Sequence, residues 1–137
     1  MTTLKITPAK LGGSVCAPSS KSMGHREIIC AGLSDGTSIV DNISMSADME
    51  ATLRCLEALG ISFQQVPSSR AGRTAFAISG SGRVRAACSA VDCGESGSTL
   101  RFMIPLGALC GAPLTFTGHG KLVTRPLQAY YDIFDRQ

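Results

Sequence analysis

The sequence predicts an α/β (α+β) fold, on three observations. Short β-branched runs alternate with longer segments whose apolar residues recur at helical spacing. Serine caps open the helical segments, and glycines stand near their ends. The element order is strand, helix, strand, helix, strand, strand, and it starts again in the second half, as one α/β unit used twice.

Taken in order, residues 4–7 and 14–17 lean apolar on either side of Gly12-Gly13 and read as strands, or one strand with a turn. A helix follows over about residues 20–33, capped by Ser19 or Ser20, with Ile29 and Leu33 facing a core and Gly36 as its stop. Residues 37–41 are a β-branched strand. Ser46 caps a second helix that places Met49, Leu53, Leu56 and Leu59 on one face and closes at Gly60. Residues 61–66 and 74–79 form two strands around a polar loop, and Gly80-Ser81-Gly82 is a flexible turn. After a short strand at 91–93, a small-residue loop enters an apolar helix kinked by Pro105. Residues 114–117 are a last strand. Residues 127–134 are a helix with Pro126 at its first position.

The chain has 137 residues, 44% hydrophobic and 17% charged, which suits one modest globular domain with a real core. Trp is absent and the net charge is only +3, without a basic run. Those features disfavour a nucleic-acid partner and leave room for small anions. No apolar run reaches membrane-spanning length and no signal-peptide core opens the chain, so a cytoplasmic protein with no membrane partner is expected. The six cysteines are scattered without a C-x-x-C. Cys30, Cys55 and Cys110 read as small buried hydrophobes, and no cluster suits a metal.

Chemistry concentrates in two stretches. In the first, Ser20-Lys21-Ser22 opens a helix and Arg26 shares a face with Ser22. The helix dipole disfavours a lysine in the first turn. It suits an anion held jointly by backbone N–H groups, Lys21, Ser22 and Arg26. The plain alternative is a solvated surface helix. Asp48 lies where the dipole of the second helix favours it, so its role is structural or substrate-directed. His25 reads as a helix-surface or hydrogen-bonded residue. In the second stretch, Gly94-Glu95-Ser96-Gly97-Ser98-Thr99-Leu100-Arg101, glycines allow a ligand close to the backbone. A nucleotide P-loop, a G-x-S-x-G elbow and a Ser–His–Asp triad all lack their spacing.

The ordered set of Ser20-Lys21-Ser22 with Arg26, Gly36-Thr37-Ser38, residues 46–60, residues 94–101 and Arg125-Pro126 resembles the N-terminal part of the 5-enolpyruvylshikimate-3-phosphate synthases. The resemblance implies repeated βαβαββ units of an "inside-out" α/β fold in two lobes. Residues 18–137 would form part of the first lobe, and residues 1–17 a strand segment that associates with the second. It also implies transfer of enolpyruvyl from phosphoenolpyruvate to the 5-hydroxyl of shikimate 3-phosphate, through a tetrahedral intermediate, with no cofactor and no metal. By the same resemblance Lys21 is catalytic and contacts phosphoenolpyruvate. Ser22 and Arg26 hold the shikimate carboxylate. Gly97 packs on phosphoenolpyruvate, so a larger residue there should weaken it and glyphosate alike. Arg125 binds the donor phosphate. Asp48, Ser98 and Arg101 are further candidates, Arg101 as a support of the loop. Glu95-Ser96 stands where the family often has Asn-Ala, and the Asn role is not carried over.

The family's acid/base carboxylates and several donor-binding arginines lie beyond the matched region. The isolated chain is therefore expected to bind substrate without catalysis and to need the C-terminal portion of the same protein as a partner. The sister enzyme acting on UDP-N-acetylglucosamine is a second reading, disfavoured because it carries Lys-Asn in place of Lys21-Ser22 and commonly a Cys near Gly120.

Overall fold

The computed structural model describes residues 3–137. Residues 3–20 form no helix or strand, and Leu4, Ile6, Leu11 and Val15 are 82–95% exposed. The two strands expected at 4–7 and 14–17 are not formed. A strand exists only with a partner for its N–H and C=O groups, and no described segment pairs with this one.

The first unit is α1 (Lys21–Leu33), β1 (Asp35–Ile43), α2 (Ala47–Ala58), β2 (Ser62–Val66) and β3 (Thr74–Ser81). Ser20 rather than Ser19 caps α1, its hydroxyl accepting the Met23 N–H at 3.3 Å. Gly36 is not the stop. Ser34 ends the helix in an extended conformation, its N–H reaching Cys30 O at 3.0 Å and its hydroxyl donating to Ala31 O at 2.7 Å, while Gly36, at φ +92°, lies already in β1. Ser46 caps α2 as expected, accepting from Met49 N–H. At the far end Gly60, with φ +77°, donates to Glu57 O at 2.9 Å, and Ile61 donates to Leu56 O at 3.0 Å. Those two bonds are a Schellman closure, with Leu56 and Ile61 both buried.

The three strands make an antiparallel sheet in the order β1-β3-β2. Val40 faces Phe76 and Gln65 faces Phe76 from the other side. A bulge between Val40 and Ile43, with Asn42 at φ +62°, lets β1 run longer than the expected residues 37–41. Gly80 and Ser81 belong to β3 and not to a turn. Here the sheet meets the end of α1 so closely that a Cβ on Gly80 would lie 2.2 Å from Ser34 O.

The second unit is β4 (Ala90–Asp92), α3 (Gly97–Ala108), β5 (Thr115–Thr117), a 3₁₀ turn (Gly120–Thr124) and α4 (Gln128–Phe134). β4 and β5 pair in parallel with α3 as the crossover. Pro126 is not the first helical residue; Leu127 intervenes, at φ −118°, packed against the core. Pro105 lies inside α3 as expected. Lacking an N–H, it leaves the Arg101 carbonyl without its helical donor, and Tyr130 of α4 supplies one, its hydroxyl 2.9 Å away. That bond helps dock α4.

The core gathers the expected face of α2 (Met49, Leu53, Leu56, Leu59) with Ile28, Ile43, Phe76, Ile78 and Met103. Cys55 is buried and Cys110 half-buried, but Cys30 is exposed. The buried face of α1 runs through Gly24, His25, Ile28, Ile29 and Gly32, and Cys30 lies off it. The Cys55 sulfur instead meets that of Cys93, also buried, at 3.8 Å. The hydrogen bond to Cys93 and burial push the Cys55 thiol up.

Candidate functional site

The first turns of α1, α2 and α3 converge, and this positions the side chains singled out from the sequence. Lys21, first in α1, is ion-paired with Asp48 in the first turn of α2. Their side chains are 52% and 32% exposed, so the pair sits in reach of solvent and of a ligand. Ser22 is exposed on the same turn. Arg26, one turn on, donates to Ser22 O at 2.7 Å. Its guanidinium carbon lies 5.0 Å from the centre of the Phe102 ring on α3, a cation–π contact that holds the fork between the two helices.

Gly97 opens α3 between two arginines. A Cβ there would lie 2.9 Å from Arg101 Nη1 and 3.0 Å from Arg125 Cδ. Arg101 donates to Gly97 O at 3.2 Å and to Pro126 O at 3.3 Å, so it ties the 94–97 loop to the chain just after Arg125. Arg125 itself follows the 3₁₀ turn and is exposed. Ser98 is exposed on the first turn of α3. Glu95 turns away from this pair of arginines. Its carboxylate lies over Gly120, where a Cβ would come within 2.1 Å, and it lines an open cleft of about 440 Å³ with Asp48, Arg54 and His119.

Two groups of residues therefore form: Lys21, Asp48, Ser22 and Arg26 on α1 and α2, and Gly97, Arg101 and Arg125 around the start of α3. The Arg26–Phe102 contact joins them on one side. A buried polar column joins them underneath. His25 Nδ1 is 2.8 Å from Thr52 Oγ1, Thr52 Oγ1 is 2.8 Å from Thr99 Oγ1, and Thr99 Oγ1 is 2.7 Å from Ser96 Oγ. Thr52 and Thr99 each also reach Asp48 O at 3.2 Å. All four side chains are at most 1% exposed. His25 is thus hydrogen-bonded and not on the helix surface. Burial lowers its pKa first, then the Lys21 charge; Asp48 opposes and Arg26 adds to the lowering.

No such column is expected from the sequence. Its signal was present: Thr52 lies four residues after Asp48, Thr99 three after Ser96, and each interrupts an apolar helical face. Phe102 carried no signal, because an aromatic on an apolar face reads as core.

The arrangement can hold a small multiply charged anion. It offers cations from three elements and backbone N–H groups in the first turns of α1 and α3. A separate groove of about 380 Å³, lined chiefly by apolar and aromatic side chains such as Leu100, Ile104, Phe116 and Phe134, has Arg125 as its one charged residue. It does not suit such a ligand. Among the described residues no three His, Cys, Asp or Glu side chains come together as metal ligands, and no helix is long and apolar enough to cross a membrane.

Comparison with known proteins covers the same stretch of the chain. The family model described as EPSP synthase (3-phosphoshikimate 1-carboxyvinyltransferase) matches residues 6–136. A 3-phosphoshikimate 1-carboxyvinyltransferase of Clostridium novyi is 43% identical over 140 residues, covering 100% of this chain and 32% of the relative. That of Clostridium kluyveri is 46% identical over 134 residues, covering 98% and 30%. The solved EPSP synthase from Acinetobacter baumannii superposes with a TM-score of 0.69 at 27% identity, over 88% of this chain and 27% of that one. The chain spans just under a third of the length of the curated relatives it matches.

Proposed function

Because the chain belongs to the EPSP synthase family, we propose that it takes part in transferring the enolpyruvyl group of phosphoenolpyruvate to the 5-hydroxyl of shikimate 3-phosphate, with release of phosphate. The observation that carries the reading is the family match over residues 6–136. The α/β arrangement is that of part of the enolpyruvyl transferase fold. In this reading the protein works in the cytoplasm, in aromatic amino-acid synthesis.

Both substrates are anionic, and the reaction needs developing charge to be stabilised by fixed cations and N–H groups. Arg26 is suited to the shikimate carboxylate as a planar fork, with the Ser22 hydroxyl beside it. Its ring contact with Phe102 supports this, because a fork held in place loses less freedom on binding. Lys21 is suited to phosphoenolpyruvate. Its pairing with Asp48 keeps the ammonium at the mouth of the site until the anion arrives. Arg125 is suited to the donor phosphate and Gly97 to close approach of the donor, with Arg101 supporting the loop between them. Residues 3–17, exposed and outside any helix or strand, are suited to strand pairing with a further portion of the protein.

A chain spanning under a third of its relatives favours a second reading for these residues alone: substrate binding without turnover. One experiment separates the two. The chain replaces the matching third of the Clostridium novyi relative, and phosphate release from both substrates is measured. The chimera is expected to be active, and Arg26→Ala to raise the KM for shikimate 3-phosphate at least about tenfold. The isolated chain is expected to bind shikimate 3-phosphate without releasing phosphate. A folded chimera that releases none, with an isolated chain that binds neither substrate, would overturn the proposal.

A further inference from the structure

The buried column His25–Thr52–Thr99–Ser96 serves no step in the roles given above, yet it touches all three helices that carry Lys21, Arg26, Asp48, Gly97 and Arg101. Polar side chains at most 1% exposed are costly to bury unless they bond with defined geometry. Here three helices contribute one or more each: His25 from α1, Thr52 from α2, and Thr99 with its cap Ser96 from α3. The contacts are short, 2.7 to 2.8 Å between successive side chains. Apolar packing alone would let helices slide by fractions of an ångström, whereas such a column fixes their register.

The central member is Thr99. Its hydroxyl lies 2.7 Å from Ser96 Oγ, 2.8 Å from Thr52 Oγ1 and 3.2 Å from the Asp48 carbonyl. Its own N–H donates to Ser96 Oγ at 3.2 Å. One side chain therefore ties the turn that bears Gly97 to the turn that bears Asp48, and Asp48 holds Lys21. We propose that Thr99 is a positioning residue for the donor half of the site, setting the distance between Lys21 and the Gly97–Arg125 side. The inference rests on the reading of the site as a phosphoenolpyruvate and shikimate 3-phosphate site. Ser22 and Arg26 lie on α1, whose own tie to the column is His25–Thr52, and Arg26 meets α3 through the face of the Phe102 ring at 5.0 Å, a contact that bears a small shift of the helix. The acceptor half should therefore feel the change much less than the donor half.

Thr99→Val keeps the shape and removes the hydroxyl; Thr99→Ser keeps the hydroxyl. Each variant and the unaltered 137-residue chain are titrated separately with phosphoenolpyruvate and with shikimate 3-phosphate, following amide proton–nitrogen NMR peaks. Thr99→Val is expected to weaken phosphoenolpyruvate about tenfold, the scale of one misplaced hydrogen bond to a charged group, with shikimate 3-phosphate within about twofold. Thr99→Ser is expected to restore the donor affinity. General loosening of the fold would weaken both ligands alike and would not give this split. Equal affinities for phosphoenolpyruvate in the unaltered chain and Thr99→Val, or parallel loss of both ligands, would overturn the inference while the site reading stands. An unaltered chain that takes shikimate 3-phosphate but not phosphoenolpyruvate would also overturn it. Failure to bind either ligand would overturn the site reading, and this inference with it.

Discussion

Lys21 on the first turn of α1 is ion-paired with Asp48 on the first turn of α2, 27 residues away in sequence. Each end is explicable alone: a carboxylate favours a helix N-terminus and a lysine does not. Asp48 therefore offsets the unfavourable charge placed on α1. It also occupies the lysine that an incoming anion would use.

Asp48→Asn tests that competition. Both side chains are partly exposed, so folding stability should change by less than about 1 kcal/mol in urea unfolding. Asparagine keeps a side-chain oxygen that can accept from Lys21, so the lysine stays placed while the competing charge is gone, and affinity for phosphoenolpyruvate should rise a few-fold, on the order of a single released surface pairing. An unchanged affinity alongside a clear loss in Lys21→Met would mean that the lysine binds without leaving its carboxylate.

Gly97→Ala tests the gap between the two arginines. The added methyl would meet Arg101 Nη1 at 2.9 Å and Arg125 Cδ at 3.0 Å. Both are parts of flexible side chains, so the fold should survive. Alanine is the better helix former by about 1 kcal/mol, which offsets the crowding. Stability should therefore stay within about 1 kcal/mol, while phosphoenolpyruvate affinity should fall about tenfold because Arg125 is displaced. Unchanged donor affinity would count against placing the donor at Gly97.

Stability should depend on pH through His25. Its folded pKa lies below the ordinary value of 6.5 because burial and the Lys21 charge disfavour the cation. As pH falls through 6.5 the unfolded chain takes up this proton before the folded chain does. Stability is then lost down to the folded pKa, with a slope of at most about 1.4 kcal/mol per pH unit. Asparagine carries both a donor and an acceptor that can stand near the position of Nδ1, and it does not titrate. Urea midpoints of the unaltered protein should fall between pH 7.5 and 5.5, and those of His25→Asn should fall less.

Tyr130→Phe should cost about 1 kcal/mol, because the Arg101 carbonyl that Pro105 leaves without a helical donor would lose its partner. Pro105→Ala in the same background should recover part of the loss by restoring the helical N–H. Urea unfolding of the two single variants and the double variant forms the cycle, and strictly additive effects would refute the link.

The helices and most strands were legible in the sequence, because their signals are local. Ser20 and Ser46 cap where their positions indicate, and the α2 face repeats at helical spacing. Expectations failed where a local signal had a distant competitor. Gly36 reads as a helix stop, but Ser34 closes α1 and Gly36 pairs with Gly80 across the sheet. Residues 4–7 and 14–17 have strand character but no partner among the described residues.

By itself the sequence determined which residue types stand at which helix starts: Lys21, Ser22 and Arg26 on one, Asp48 on the next, Gly97 and Arg101 on the third. That chemistry is written in short spacings, so it survives without coordinates. Only the tertiary structure decided who meets whom. It paired Lys21 with Asp48, laid Arg26 on Phe102, set Gly97 between Arg101 and Arg125, and ran His25, Thr52, Thr99 and Ser96 into one column. The reason is physical. Caps and helical faces depend on neighbours within about four residues. Contacts across 27 to 51 residues depend on how the helices pack, which no local spacing encodes.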